Sequence, residues 1–315
     1  MDNLTHSLVG ALFGQAGLKK KTGLAMPALI FGANLPDIDG TCMVLGTRSL
    51  ALRRGLTHGP IAWVILPLVL AGMLWAFDRW QAKRGTRPEG RAGVHFGWLY
   101  ALALIACLTH PALDWLNSYG IRLLAPFSQR WFYGDTLFIA DVWLWAILGL
   151  ATWYSLRREK RDGSWRLPAR VGLAAALAYI AANLGISRLA AEEERRDEPY
   201  PQVVIANPVL LAPWRREILF PQGESWWTRS WSLPDGLGKP RHLWLSRPCA
   251  LPGEAVRRGN ADLAAFLFWS RAPLADADPR SGGTVVEDAR FAGRTPGGMF
   301  TVVLPDVPCE HANHE

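Results

Sequence analysis

The chain has 315 residues, half of them hydrophobic, with 16 Trp and only 19% charged residues, below the roughly 25% of an ordinary soluble domain. That length leaves room for two structural units, and the net charge of +7 sits in short basic segments between apolar runs. Such a distribution fits membrane topology rather than one polyanion-binding face, so no nucleic-acid partner is indicated. Cys42, Cys107, Cys249 and Cys309 are too widely spaced for a zinc knuckle.

The sequence opens Met-Asp-Asn-Leu-Thr-His with no basic stretch before its first apolar run, so no cleaved signal is expected. Residues 4–18 and 24–35 are short apolar segments rich in Gly or Ala; they cross the bilayer as a tightly packed pair or dip in and return. Residues 61–77, 94–108, 137–154 and 171–189 each approach the ~20 residues needed to span a hydrocarbon core. A mainly α-helical membrane bundle of five or six segments follows. With six crossings, the Lys and Arg of the connections divide 14 to 5, which places the richer set in the cytoplasm. Trp80, Trp98, Trp153 and Trp165 then mark one interface, and Trp63, Trp115 and Trp131 the other.

After residue 191 a charged stretch leads into sequence dense in Pro, Gly and Trp. We therefore read 1–191 as a transmembrane helical domain and 192–315 as a small α+β or mostly β domain. Short strands are expected at 202–205, 216–220, 242–245, 283–287 and 299–304, and a helix at 260–270. An even number of crossings makes this domain extracytoplasmic, where Cys249 and Cys309 form a disulfide or remain two thiols. Trp226, Trp227 and Trp231 suit core packing, with stacking on a lipid or sugar as the alternative.

Polar residues within or beside apolar segments are functional candidates because burying them is costly. Thr5-His6, Thr57-His58 and Thr109-His110 repeat one pair, and Asn34-Leu-Pro-Asp37-Ile-Asp39 and His110-Pro-Ala-Leu-Asp114 add carboxylates. The topology brings His6, Asp37, Asp39, His58, His110 and Asp114 to the outer side. Imidazole and carboxylate together suit a divalent metal, Zn first and Mn or Fe next, as one ion or two. If the chain around Pro36 is extended, Asp37 and Asp39 face the same way and one of them bridges two ions. His110 and Asp114 share a face if helical, although Pro111 kinks the helix or starts a new one. Thr5, Asn34, Thr57 and Thr109 are available to orient ligands, and Asp141 is a further buried candidate. Hydrolysis is the implied chemistry, with Asp37 and Asp39 as catalytic carboxylates. Arg54 holds a substrate anion or the transition-state charge, or else pairs with Asp39, with Asp114 or with a lipid headgroup. His95, on the inner side, is read as structural, while His242, His311 and His314 belong to the outer domain or its tail, the last two as a solvated end rather than a ligand pair.

Asp2-Asn-Leu-Thr-His-Ser7, Asn34-Leu-Pro-Asp-Ile-Asp39, Arg54-Gly-Leu-Thr-His-Gly59, His110-Pro-Ala-Leu-Asp114 and Tyr133-Gly-Asp-Thr-Leu-Phe-Ile-Ala-Asp141 together resemble the bacterial inner-membrane metal-dependent hydrolases, the family that includes LexA-regulated members. The resemblance covers the first half to two-thirds of the chain. It implies an inner-membrane location and a distant similarity to zinc-dependent phospholipase C and S1/P1 nucleases, hence hydrolysis of a phosphoester or lipid-linked substrate. The N-terminal Trp ligand of those secreted enzymes has no counterpart here, so their ligand set does not transfer.

Overall fold

The computed structural model describes residues 1–197, 203–222, 225–243, 248–291 and 298–310. It divides into two compact units, residues 1–39 with 54–185, and residues 40–53 with 186–315.

The first unit is helical: α1 (Asn3–Gln15), α2 (Ala25–Asn34), α4 (Pro60–Lys83), α5 (Phe96–Trp115), α6 (Val142–Glu159) and the first part of α7 (Arg166–Asp197). Among the described residues, four helical stretches are long and apolar enough to cross a membrane: Ala25–Leu52, Pro60–Lys83, Phe96–Trp115 and Arg166–Asp197. The first of these is α-helical to Asn34, 3-10 helical over Leu35–Arg48 with a break at Gly46, and α-helical again over Ser49–Leu52. Of the two remaining segments, α1 has 13 residues, about 20 Å at 1.5 Å per residue and shorter than a ~30 Å core. α6 ends on Arg157, Arg158 and Glu159. Val64, Ile65, Leu68, Val69 and Met73 on α4 are exposed, as side chains in contact with lipid would be.

Two apolar clusters hold the bundle. Leu29, Leu70, Leu74, Leu99 and Leu102 join α2, α4 and α5, while Leu12, Leu113, Leu144 and Leu148 join α1, α5 and α6. Small residues let the helices approach closely. A Cβ on Gly32 of α2 would lie 2.9 Å from the Ala103 carbonyl oxygen of α5, so this position has room only for glycine. Each helix also starts or stops for a local reason. Asp2 caps α1 by accepting from the amides of Leu4 and Thr5 at 3.0 and 3.1 Å, and Pro60 occupies the first turn of α4. Asp141, expected inside an apolar run, instead caps α6 by accepting from Trp143 and Leu144.

The second unit contains the short α3 (Ser49–Leu52), the end of α7, and two antiparallel sheets. One sheet runs β1 (Ile205–Val209), β2 (Ala212–Gln222), β3 (Ser225–Ser232) and β4 (Gly236–Leu237), with β5 (Arg241–His242) also on β3; the other runs β6 (Pro248–Cys249), β7 (Pro273–Ala277), β8 (Gly283–Asp288) and β9 (Thr301–Pro308). Between β6 and β7 lie α8 (Glu254–Gly259) and α9 (Ala261–Trp269), the latter capped by Asn260 as its sequence suggests. The strands at 216–220 and 283–287 fall inside β2 and β8, whereas the one expected at 202–205 begins at its last residue and runs on. Residues 202 and 245, and His311 and His314, lie outside the described residues.

The Trp-rich stretch is strand β3. Trp227 and Trp231 pack with Ile218 and Phe220 on one face, and Trp226 packs with Leu219 and Leu274 on the other, so the tryptophans are core residues. Cys249 and Cys309 are joined in a disulfide. Asp288 is buried against Arg290, with Nε–Oδ1 at 2.7 Å; burial alone would raise its pKa, but the guanidinium outweighs this and holds the carboxyl below its ordinary value.

Candidate metal centre

His6 lies near the start of α1, Asp37 and Asp39 follow the end of α2, His58 precedes α4, and His110 and Asp114 close α5. Alternating helix directions therefore bring all six to one end of the helical unit. Asp37, His58, His110 and Asp114 each contribute a ligand atom to a group whose members all lie within 4.8 Å of one another.

The spacing has the dimensions of a metal site. His58 Nε2 is 3.2 Å from His110 Nε2, both are 3.5 Å from Asp114 Oδ2, and His110 Nε2 is 3.6 Å from Asp37 Oδ1. Four ligands placed tetrahedrally about 2.0–2.2 Å from zinc are separated by about 3.3–3.6 Å.

The protons are equally informative. His110 Nδ1 lies 2.7 Å from the Ala33 carbonyl, which only accepts, so this nitrogen carries hydrogen. Thr57 Oγ1 donates to Asp39 Oδ2 at 2.8 Å and lies 2.9 Å from His58 Nδ1, so it is free to accept from that ring nitrogen. Each imidazole thus uses Nδ1 as its donor, and two Nε2 atoms face each other. Only a shared proton or cation satisfies both. Burial pushes the His58 imidazole down to about 4 against the opposing pull of Asp39, leaving its Nε2 lone pair available near neutral pH.

Around this quartet, His6 is fully buried, stacks on His110 with ring centroids 3.8 Å apart, and puts Nε2 3.5 Å from Asp114 Oδ1. Neither of its ring nitrogens makes a hydrogen bond among the described residues. Residues Leu35–Arg48 are 3-10 helical rather than extended as expected after Pro36, and at three residues per turn positions i and i+2 point in different directions. Asp37 accordingly faces His110, while Asp39 accepts from the Arg54 amide at 2.8 Å, from Thr57, and lies 3.4 Å from His58 Nδ1. α5 runs unbroken through Pro111, which puts His110 and Asp114 on one face. Arg54 is buried, with Nε 3.0 Å from Asp114 Oδ2, Nη1 2.9 Å from Asn117 Oδ1, and its guanidinium over the Tyr119 ring. The Met1 ammonium also pairs with Asp114.

Of the other residues singled out in the sequence, only Thr57 touches the group through His58. Thr5 donates to Asp2, Asn34 to Ser7 and the Ile30 carbonyl, and Thr109 to the Ala106 carbonyl. Asp141 accepts from the Tyr179 hydroxyl besides capping α6. Sequence reading did not single out Asn117, Tyr119 and Arg122 for the site. Arg122 donates its amide to the Arg54 carbonyl at 2.9 Å and sets its side chain against Gly55 and over Trp131. The signal available was Arg122 itself, one of only five basic residues in the sparsely charged set of loops.

A multi-helix membrane protein with a buried His/Asp cluster at one end of its bundle is the class defined by this fold. The chain belongs to the YdjM inner membrane protein family, whose model matches residues 1–191 and so includes every residue of the cluster. It is also 28% identical over 167 residues to the uncharacterised protein YfhP of Bacillus subtilis (strain 168), covering 49% of this chain and 47% of that protein. The chain thus spans about half the length of this relative. No solved structure matches.

Proposed function

We propose that this protein is a membrane-embedded metal-dependent hydrolase that holds one divalent cation on Asp37, His58, His110 and Asp114. The observation that carries the reading is the pair of opposed imidazole Nε2 atoms 3.2 Å apart, each with its Nδ1 engaged by a hydrogen-bond partner. Mixed imidazole and carboxylate ligands favour zinc, with manganese or iron also compatible. A bound cation of this kind lowers the pKa of water and polarises the bond under attack.

The protein's own groups divide the remaining work. Asp39 and Thr57 fix the tautomer of His58, and Arg54, itself held by Asn117, keeps Asp114 in place. Asp37, the one partly exposed member of the quartet, marks the side from which substrate arrives and is placed to take a proton there. A phosphoester or lipid-linked substrate is the class implied by the sequence resemblance described above. The test is hydrolysis of a soluble nitrophenyl phosphodiester by the full chain in detergent. Activity lost with chelator and restored by zinc is expected; zinc-dependent stability with no turnover of any ester would favour a second reading, a structural cation locking the helices. That alternative is favoured by the complete burial of Asp114 and its pairing with Arg54.

The C-terminal unit is proposed to face the extracytoplasmic side of the inner membrane. The Cys249–Cys309 disulfide and the excess of Lys and Arg in the opposite loops support this orientation. An alkaline phosphatase reporter fused after Ala191 is expected to be active, and an inactive fusion paired with an active cytoplasmic reporter would reverse the orientation.

A further inference from the structure

Exposed apolar side chains are interleaved with the residues of the metal centre. Ile38, 56% exposed, sits between Asp37 and Asp39, and Leu56, 66% exposed, sits between Arg54 and His58. A third element is tied to them. The segment after α5 is pinned by the Arg122 amide on the Arg54 carbonyl at 2.9 Å and by close packing of Gly59 against the Ala125 backbone. It turns back through Ser128 N–H to the Leu124 carbonyl at 2.9 Å and presents Phe127, 75% exposed. A water-facing active-site rim has no use for three such side chains, because apolar surface left in water forgoes the free energy of burying it.

The rim continues into the lipid-facing surface of the bundle. Two residues after His58 the chain enters α4, whose Ile61, Val64 and Ile65 are also exposed, so Leu56 extends an apolar strip already committed to acyl chains. Asp37, on the open side of the quartet, adjoins Ile38. Apolar contact and the accessible ligand therefore occur at the same edge.

We propose that Ile38, Leu56 and Phe127 form a bilayer-facing threshold, across which the ester of a membrane amphiphile reaches the metal centre from the lipid phase, its acyl chains remaining among these residues. This rests on the hydrolase reading above and adds to it the substrate's physical state and its route. A soluble phosphoester would need no threshold of this kind.

Nitroxide labels at Leu56→Cys and, separately, Phe127→Cys in a Cys42→Ser background test the proposal on full-length protein in vesicles of phosphatidylethanolamine and phosphatidylglycerol. Each label should collide several-fold more often with dissolved oxygen than with a water-soluble nickel complex, as a label at Ile65 should, with the reverse at Lys239. Zinc content measured on the same samples reports separately on the metal centre. Aqueous profiles at both rim positions with zinc retained overturn the threshold and leave the hydrolase reading standing. Loss of zinc from the unlabelled Cys42→Ser parent overturns the metal reading and the threshold with it. If either cysteine variant fails to retain zinc, Leu124→Cys on the same turn takes its place and is judged by the same profiles.

Discussion

Asp114→Ala is expected to destabilise the helical unit by about 3–5 kcal/mol even with metal chelated, because removing one partner of a buried ion pair leaves the other charge uncompensated. Asp114 is fully buried and takes the Arg54 guanidinium at 3.0 Å, and Arg54 in turn sits beneath Tyr119 with its backbone amide on Asp39. Water cannot easily replace the lost carboxylate. Asp114→Asn keeps the shape and one acceptor oxygen, so its loss should be smaller, while its metal binding should fail as fully as in the alanine variant. Thermal unfolding in detergent with and without chelator separates the two effects. Equal stability of wild type and Asp114→Ala in chelator would show that the Arg54 pair carries no weight.

The second large effect concerns Asp39, which the geometry treats as the residue that orients His58. Asp39→Ala is expected to weaken zinc binding by about 10–100-fold while leaving the stoichiometry at saturation unchanged, as loss of an outer-shell partner of a ligating histidine does. Its carboxylate accepts from Thr57 and the Arg54 amide and stands beside His58 Nδ1. Removing it frees the ring to rotate or change tautomer. Competition titration against a chromogenic chelator gives the affinity. Complete loss of the ion from Asp39→Ala would instead make Asp39 a ligand and enlarge the centre beyond the quartet.

The helical part of the fold was legible because a lipid-facing helix writes its character in length and hydropathy, and the candidate site because five short motifs fell at alternate ends of successive segments. What escaped was local geometry. Asp37 and Asp39 point the same way only if the chain after Pro36 is extended; a 3-10 turn there separates them, and no residue pattern distinguishes the two conformations at that point. Asp141 is buried as its place in the apolar run 137–154 suggests, but it caps α6 rather than lying within it, because the helix begins only at Val142. Pairing of Arg54 with Asp114 depends on long-range packing and was visible only as one option among several.

In the C-terminal unit, β3 went unread for a different reason. Its adjacent Trp226 and Trp227 point to opposite faces of the sheet, and each face is covered by its own apolar cluster. With Trp226 and Trp227 adjacent and the buried Arg229 between Trp227 and Trp231, the strand lacks the alternation by which strands are recognised. Strand β8, by contrast, and the Asn260-capped α9 carry their signals in sequence.

All of this chemistry requires that the turn after α2, the turn before α4 and the end of α5 present nitrogen and oxygen donors to one cation. Elemental analysis of the detergent-purified full chain beside His58→Ala measures this directly. A cation shared by this quartet gives about one equivalent of a divalent transition metal per wild-type chain and close to none in the folded variant. A wild-type protein that binds no such ion after incubation with zinc and removal of excess, or a folded His58→Ala protein that binds as much, would contradict it.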